Sequence, residues 1–224
     1  MKSHSDINLI RHYCNIKHIE IFDSSYHYQK EFSHLSESVF RKYMSRLVEE
    51  GFLQYVAKGI YYVGWKMPED IDKKIESYFL SDGYHKGIFG GKALLYKIGI
   101  IDEKPETIEI LSPVVTKNRN IRNYYVKPLN SRVDDTNTIE LLELLSISIK
   151  NDLDEDSQEQ LIMAIGERLL KYEGLTNSLM FGVYKIDYPR IVYSKLAILL
   201  EPLHKSNEVK QWYENQIEIS NKKG

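Results

Sequence analysis

A chain of 224 residues, 42% hydrophobic and 28% charged, has an ordinary globular composition and can bury the core of one or two domains. No apolar run reaches the ~18–20 residues of a membrane span, and the opening MKSHSDINLIRHYC lacks the apolar core and small-residue cleavage site of a signal peptide. A net charge of −2 argues against a nonspecific polyanion binder, and the lone Cys14 excludes both an intrachain disulfide and a multi-cysteine zinc site. Cys14 reads as a small buried hydrophobe, and its solitude fits a reducing compartment, so a cytoplasmic protein is expected.

Residues 6–13 carry Ile7, Leu9, Ile10 and Tyr13 at near-helical spacing and predict a first short helix. Residues 19–22 (IEIF) read as a short strand or the end of a linker, and Ser24 or Ser25 as the cap of a second helix running through Phe32. His27 and His34 are a poor metal pair at a spacing of seven with no third ligand, and read as surface or helix-packing residues.

Residues 36–63 carry the strongest pattern: SESVFRKYMSRLVEEGFLQYVAKGIYYV. Val39, Phe40, Tyr43, Met44, Leu47 and Val48 share one helical face, with Ser36 as N-cap and Gly51 just past the end. The opposite face holds Ser38, Arg41, Lys42, Ser45 and Arg46. Two β-type runs follow, LQYV and IYYV, joined at Ala57-Lys58-Gly59, where Gly59 supplies the positive φ of a tight turn. Helix, glycine and a basic-tipped hairpin form the ending of a winged helix-turn-helix, whose helix enters a DNA groove and whose wing approaches the backbone. The same pattern also describes a helix packed on a hairpin with its charged face merely solvated.

Residues 1–66 are thus expected to form a winged helix-turn-helix domain, and 67–224 a mixed α/β domain that ends in several helices; the fold class is α+β. Met67-Pro68-Glu69-Asp70 reads as a helix start with Pro at its first position, followed by the face Ile71, Ile75, Tyr78 and Phe79, up to Ser81-Asp82-Gly83. Gly90-Gly91 precedes a short helix over residues 92–98 that Gly99 ends. This is not a phosphate loop, because Lys86 stands where a glycine is required and Ala93 where Ser or Thr is required. Residues 107–111 (TIEIL) and 124–127 (YYVK) read as strands of one sheet. The basic segment KNRNIR between them, with Lys117, Arg119 and Arg122, reads as a solvated hairpin tip, or as a contact for nucleic acid or an acidic partner; with Lys92 of the short helix, these are the candidate contact residues of this domain. Capping boxes at Asn137/Glu140 and Asp156/Glu159 open two helices, the second followed by Gly174. Asp187-Tyr188-Pro189 opens a third, with Ile191, Val192, Leu196, Leu199 and Leu200. A last helix from about residue 206 carries Val209, Trp212, Tyr213 and Ile217.

Charge is uneven along the chain. Lys+Arg against Asp+Glu stand at 9 to 7 over residues 1–66, 11 to 9 over 67–133, and 10 to 16 over 134–224. Cations for phosphates are therefore available toward the amino end. Catalytic motifs are not recognisable. Asp152-Leu153-Asp154-Glu155-Asp156 begins like a calcium loop, but Ser157 replaces its glycine and Met163 its bidentate Glu, so these read as turn and cap residues. No enzyme, metal or cofactor is expected.

Three segments resemble the AbiEi-type antitoxin family of type IV toxin–antitoxin, abortive-infection systems. They are residues 44–53 (MSRLVEEGFL) with Gly59-Ile60-Tyr61; Gly91-Lys92-Ala93-Leu94 with Gly99-Ile100 and Pro105 ahead of the TIEIL strand; and residues 188–203 (YPRIVYSKLAILLEPL). One departure is that the wing position often held by Arg in the family is Tyr55-Val56 here, leaving Lys58 as the nearby cation. The resemblance implies an autorepressor that binds double-stranded DNA at an inverted repeat upstream of its own operon, through Ser38, Arg41, Lys42, Ser45, Arg46 and Lys58. It also implies a second domain that counteracts a co-encoded nucleotidyltransferase-like toxin without a stable complex, as in phage defence. A winged-helix regulator with a ligand-sensing or dimerisation domain, an enzyme with a site near Lys92, Lys117 and Arg119, and a protein-binding module remain the alternatives.

Overall fold

A computed structural model describes residues 3–80, 87–129, 136–150, 152–172 and 188–203. The fold is mixed α+β. Helix α1 (Ser3–Ile16) is longer than the pattern predicts and buries Ile7, Ile10 and Cys14. Strand β1 (Ile21–Asp23) follows, then α2 (Ser24–His27), which tightens into a π-helical turn over Tyr28–Phe32. The cap of α2 is Asp23 rather than Ser24 or Ser25: its Oδ1 accepts the N–H groups of Ser25 (3.0 Å) and Tyr26 (3.3 Å). A carboxylate serves this place because it also takes a partner described below. His27 is a packing residue, stacked on Phe22 and within 3.1 Å of the Tyr13 hydroxyl.

Helix α3 (Glu37–Glu49) follows its sequence pattern closely. Ser36 Oγ accepts the Val39 N–H, Phe40, Tyr43, Met44 and Leu47 are buried, and Gly51 turns the chain at φ +75°. Strands β2 (Leu53–Ala57) and β3 (Ile60–Val63) form the expected hairpin, with Gly59 at φ +77° and a bulge between Tyr55 and Ala57. Strand β1 adds to the far side of β3, giving an antiparallel sheet of order β1-β3-β2.

Helix α4 (Ile71–Leu80) begins later than expected, so Pro68 lies ahead of the helix and not at its first position. The remainder of that stretch, with Ser81-Asp82-Gly83, lies outside the described residues. A second sheet has the order β4-β5-β7-β6, from β4 (Ile88–Phe89), β5 (Ile108–Ser112), β6 (Arg119–Ile121) and β7 (Tyr124–Pro128). Strands β5 and β7 pair in parallel, as members of one sheet should, and the outer pairs are antiparallel. The basic segment is largely exposed, but only its end is a hairpin tip. Its middle is strand β6, and the turn falls at Arg122 (φ 56°) and Asn123, because Ile121 is drawn into the core and pairs with Tyr124. Helix α5 (Gly91–Lys97) lies between β4 and β5, with Gly99 at φ +79° past its end.

Three helices, α6 (Thr136–Lys150), α7 (Glu155–Leu170) and α8 (Arg190–Leu200), pack beside the second sheet. Neither expected capping box forms. Asn137 lies inside α6 with its Nδ2 donating to the Arg168 carbonyl, and Glu140 pairs with the Arg168 guanidinium at 2.7 Å. The cap of α7 is Asp154, two residues before Asp156, which accepts the Ser157 N–H at 2.9 Å. In α8, Ile191 is exposed, while Val192, Tyr193, Leu196, Ala197 and Leu200 are buried. Gly174, Asp187 and the predicted last helix with Val209, Trp212, Tyr213 and Ile217 lie outside the described residues.

The interior divides into three apolar clusters. One joins α1, α3 and β2, and a large one joins α5 to α6, α7 and α8. Between them, Ile21 and Ile60 of the first sheet pack with Ile71, Ile75 and Phe79 of α4 and with Ile110, Ile121 and Val126 of the second sheet. That middle cluster crosses the sequence position where a domain boundary is expected.

Candidate nucleic-acid interface

With one face of α3 turned inward, the 3.6-residue repeat turns Ser38, Arg41, Lys42, Ser45 and Arg46 outward together, and all five are exposed. Arg41 Nη2 pairs with Glu37 Oε1 one turn earlier at 2.5 Å, and Arg46 Nε with Glu50 Oε1 at 2.7 Å; Glu50 also takes Arg11 from α1. Ser45 Oγ donates to the Arg41 carbonyl at 3.2 Å. Lys42 has no ion-pair partner among the described residues. The Arg41 and Glu37 side chains are 74% and 65% exposed, so their pair holds only ~0–1 kcal/mol and a phosphate can replace the carboxylate.

Lys58 sits exposed at the tip of the β2–β3 hairpin, and its backbone is firmly held. The Gly59 carbonyl accepts the Ser24 N–H (2.8 Å) and Ser24 Oγ–H (3.0 Å). The Lys58 carbonyl accepts Arg119 Nη2–H at 2.9 Å, and Arg119 Nη1 binds Asp23 Oδ2 at 2.5 Å. Burial pushes the Asp23 carboxyl upward, opposed by the Arg119 charge and the two capping N–H groups.

The four residues of the second region stand apart from this face in their chemistry. Arg119 is spent on Asp23 and Lys58, and Arg122 Nε pairs with Asp72 at 2.7 Å. Lys92 on α5 and Lys117 ahead of β6 are exposed, without an ion pair among the described residues. The Arg122–Asp72 pair is about as exposed as Arg46–Glu50 on α3, whereas Arg119, 14% exposed against a buried carboxylate, is withheld from an outside contact.

The glycine pair ahead of Lys92 has a structural use. Gly91 N–H donates to Glu143 Oε1 at 2.8 Å, and Glu143 Oε2 accepts the Tyr188 hydroxyl at 2.8 Å. The protein's own carboxylate occupies the place at the start of α5 that a phosphate would take in a phosphate loop. An open cleft of about 120 Å³ lies by α4, α5 and β5, lined by Glu76, Phe89, Tyr96, Lys97, Lys104 and Ile108 among others, with no Ser, Cys or His. No group of three His, Cys, Asp or Glu among the described residues is placed to hold a metal. Sequence reasoning missed both the Asp23–Arg119 and Glu143–Gly91 contacts. Their partners lie 96 and 52 positions apart, and no local spacing signals them.

No protein-family model matches the chain, and no curated protein matches it.

Proposed function

We propose that the chain is a DNA-binding autorepressor built on an N-terminal winged helix-turn-helix, with α3 as the recognition helix and the β2–β3 hairpin as its wing. The observation that carries this reading is the exposed face of α3, where five polar residues, three of them cationic, stand opposite a fully engaged apolar face. The consecutive helices α2 and α3, the glycine exit and the sheet order β1-β3-β2 support it. Arg41, Lys42, Ser45 and Arg46 would meet the groove and its edges, Ser38 the backbone near the helix start, and Lys58 a flanking phosphate.

The antitoxin role rests on the sequence resemblance. Under it, the operator is an inverted repeat upstream of the protein's own operon. Residues 67–224 then counteract a co-encoded nucleotidyltransferase-like toxin without a stable complex and without catalysis. The test is binding of the purified protein to its own upstream duplex, against a scrambled duplex, at two salt concentrations. Specific binding that weakens as salt rises is the expected result. Equal affinity for both duplexes overturns the repressor reading. Rescue from the adjacent gene's toxicity on co-expression then tests the antitoxin half.

The open cleft favours a second reading, a regulator whose second region senses a small ligand, because Glu76 in its lining belongs to α4, which covers β1. A thermal shift with a small carboxylic acid or nucleotide, lost in Lys104→Ala, would favour it.

A further inference from the structure

The tip of a hairpin is ordinarily among the loosest parts of a fold, since few contacts reach it. Here two successive tip carbonyls are held from two sides. Ser24, at the start of α2, holds Gly59 through both its N–H and its hydroxyl. Arg119, from β6, holds Lys58. A Cβ at Gly59 would lie 3.0 Å from Ser24 Oγ and 3.2 Å from Arg119 Nη2, so the tip has little room to shift.

Arg119 makes two contacts at once, which only a planar fork of donors achieves without strain. One arm meets Asp23, whose side chain is 1% exposed; the other meets the Lys58 carbonyl. Asp23 in turn caps α2. One guanidinium, more than fifty positions along the chain from the hairpin, therefore ties its tip to the start of the helix-turn-helix.

We propose that Arg119 is a positioning residue for DNA binding: by holding the Lys58 carbonyl, it fixes the base of the Lys58 side chain where the ammonium meets a flanking phosphate. Fixing the tip in advance removes part of the ordering cost that a free wing pays on binding. Operator affinity then depends on the region beyond residue 66, although no residue of that region need touch DNA. This inference rests on the repressor reading above.

The test is a double-mutant cycle on the full chain with the upstream duplex. Arg119→Lys keeps a cation against Asp23 but has one point donor in place of the fork. Asp23→Asn keeps the Oδ1 acceptor that caps α2 but exchanges Oδ2, the acceptor of Arg119 Nη1, for an amide donor, so the Lys58 carbonyl is the contact left to Arg119. Lys58→Ala in the wild-type background is expected to lower the salt slope by about 1. In the Arg119→Lys background it should lower the slope by less than about half as much, and in Asp23→Asn by the full amount. Equal effects of Lys58→Ala in all three backgrounds overturn the proposal while leaving the repressor reading intact. Loss of the Lys58 effect in Asp23→Asn as well overturns it too, by reassigning Arg119 to general stability. A wild-type protein with no preference for its upstream duplex removes both. Hydrogen exchange of the amides of residues 57–60, read without DNA, supplies a second measurement. It should speed up in Arg119→Lys, and unchanged exchange in a folded variant overturns the positioning role.

Discussion

Arg41 and Lys42 are neighbours on α3, yet in the proposed repressor they would give up different things on meeting DNA. Arg41 must leave Glu37, whereas Lys42 has no ion pair among the described residues to break. A planar guanidinium reads a guanine edge with two bonds, and an ammonium serves a phosphate as a point charge. Arg41→Ala should therefore weaken specific binding by ~1–3 kcal/mol, measured as the gap between operator and scrambled duplex. Lys42→Ala should weaken both duplexes alike and flatten the salt slope by about 1. A uniform loss for Arg41→Ala would reassign it to the backbone. Both residues are exposed, so thermal stability should barely move in either variant. Cys14 gives a residue-scale prediction of the opposite kind. It is 1% exposed, and burial pushes its thiol up to about 12, so a thiol reagent at neutral pH should leave it untouched. Reaction in the native protein at the rate seen in denaturant would contradict that packing.

At the scale of elements, the cap of α7 carries a pH dependence. The Ser157 N–H and then the Ser157 hydroxyl, both donating to Asp154, hold its carboxyl below the usual range. A carboxyl depressed in the folded state contributes stability above its unfolded pKa and loses it as pH falls through the folded value. Asp154→Asn should melt below the wild type at neutral pH, and the gap should close as the pH drops below the carboxylate range. A gap that persists in acid would trace the loss to geometry. Elements also divide by what the sequence reveals. Helix α3 was legible to within a residue, because six apolar positions, a serine cap and a glycine exit all agree. The caps of α2 and α7 are ambiguous in the sequence because Asp and Ser cluster at both starts and each can cap. Strands β4 and β6, of two and three residues, are too short for any alternation to show.

At the scale of the molecule, the exposed face of α3 could be read from periodicity, whereas the middle cluster could not. Ile21 and Ile60 look like ordinary strand residues, and only the fold brings α4 and the second sheet against them. The consequence concerns residues 1–66 as a separate unit. Cut there, Ile21 and Ile60, 3% and 0% exposed in the full chain, lose α4. Glu20 loses Lys74, and the buried Asp23 loses Arg119. Exposing a core aliphatic side chain forfeits ~1.5–3 kcal/mol. Stranding a buried charge forfeits ~3–5 kcal/mol, although Asp23 at the cut face would regain water and lose less. Against a domain stability of about 5–15 kcal/mol, these losses are decisive. A fragment of residues 1–66 should therefore melt broadly and well below the same region in the full chain. Extension to residue 80 restores α4 over the isoleucines, and extension to residue 129 restores Arg119 as well. Melting temperatures should rise in that order, with the larger step at residue 80 if apolar cover dominates and at residue 129 if the Asp23–Arg119 pair does. A 1–66 fragment that melts as sharply and as high as the intact protein would show the two regions to be energetically independent.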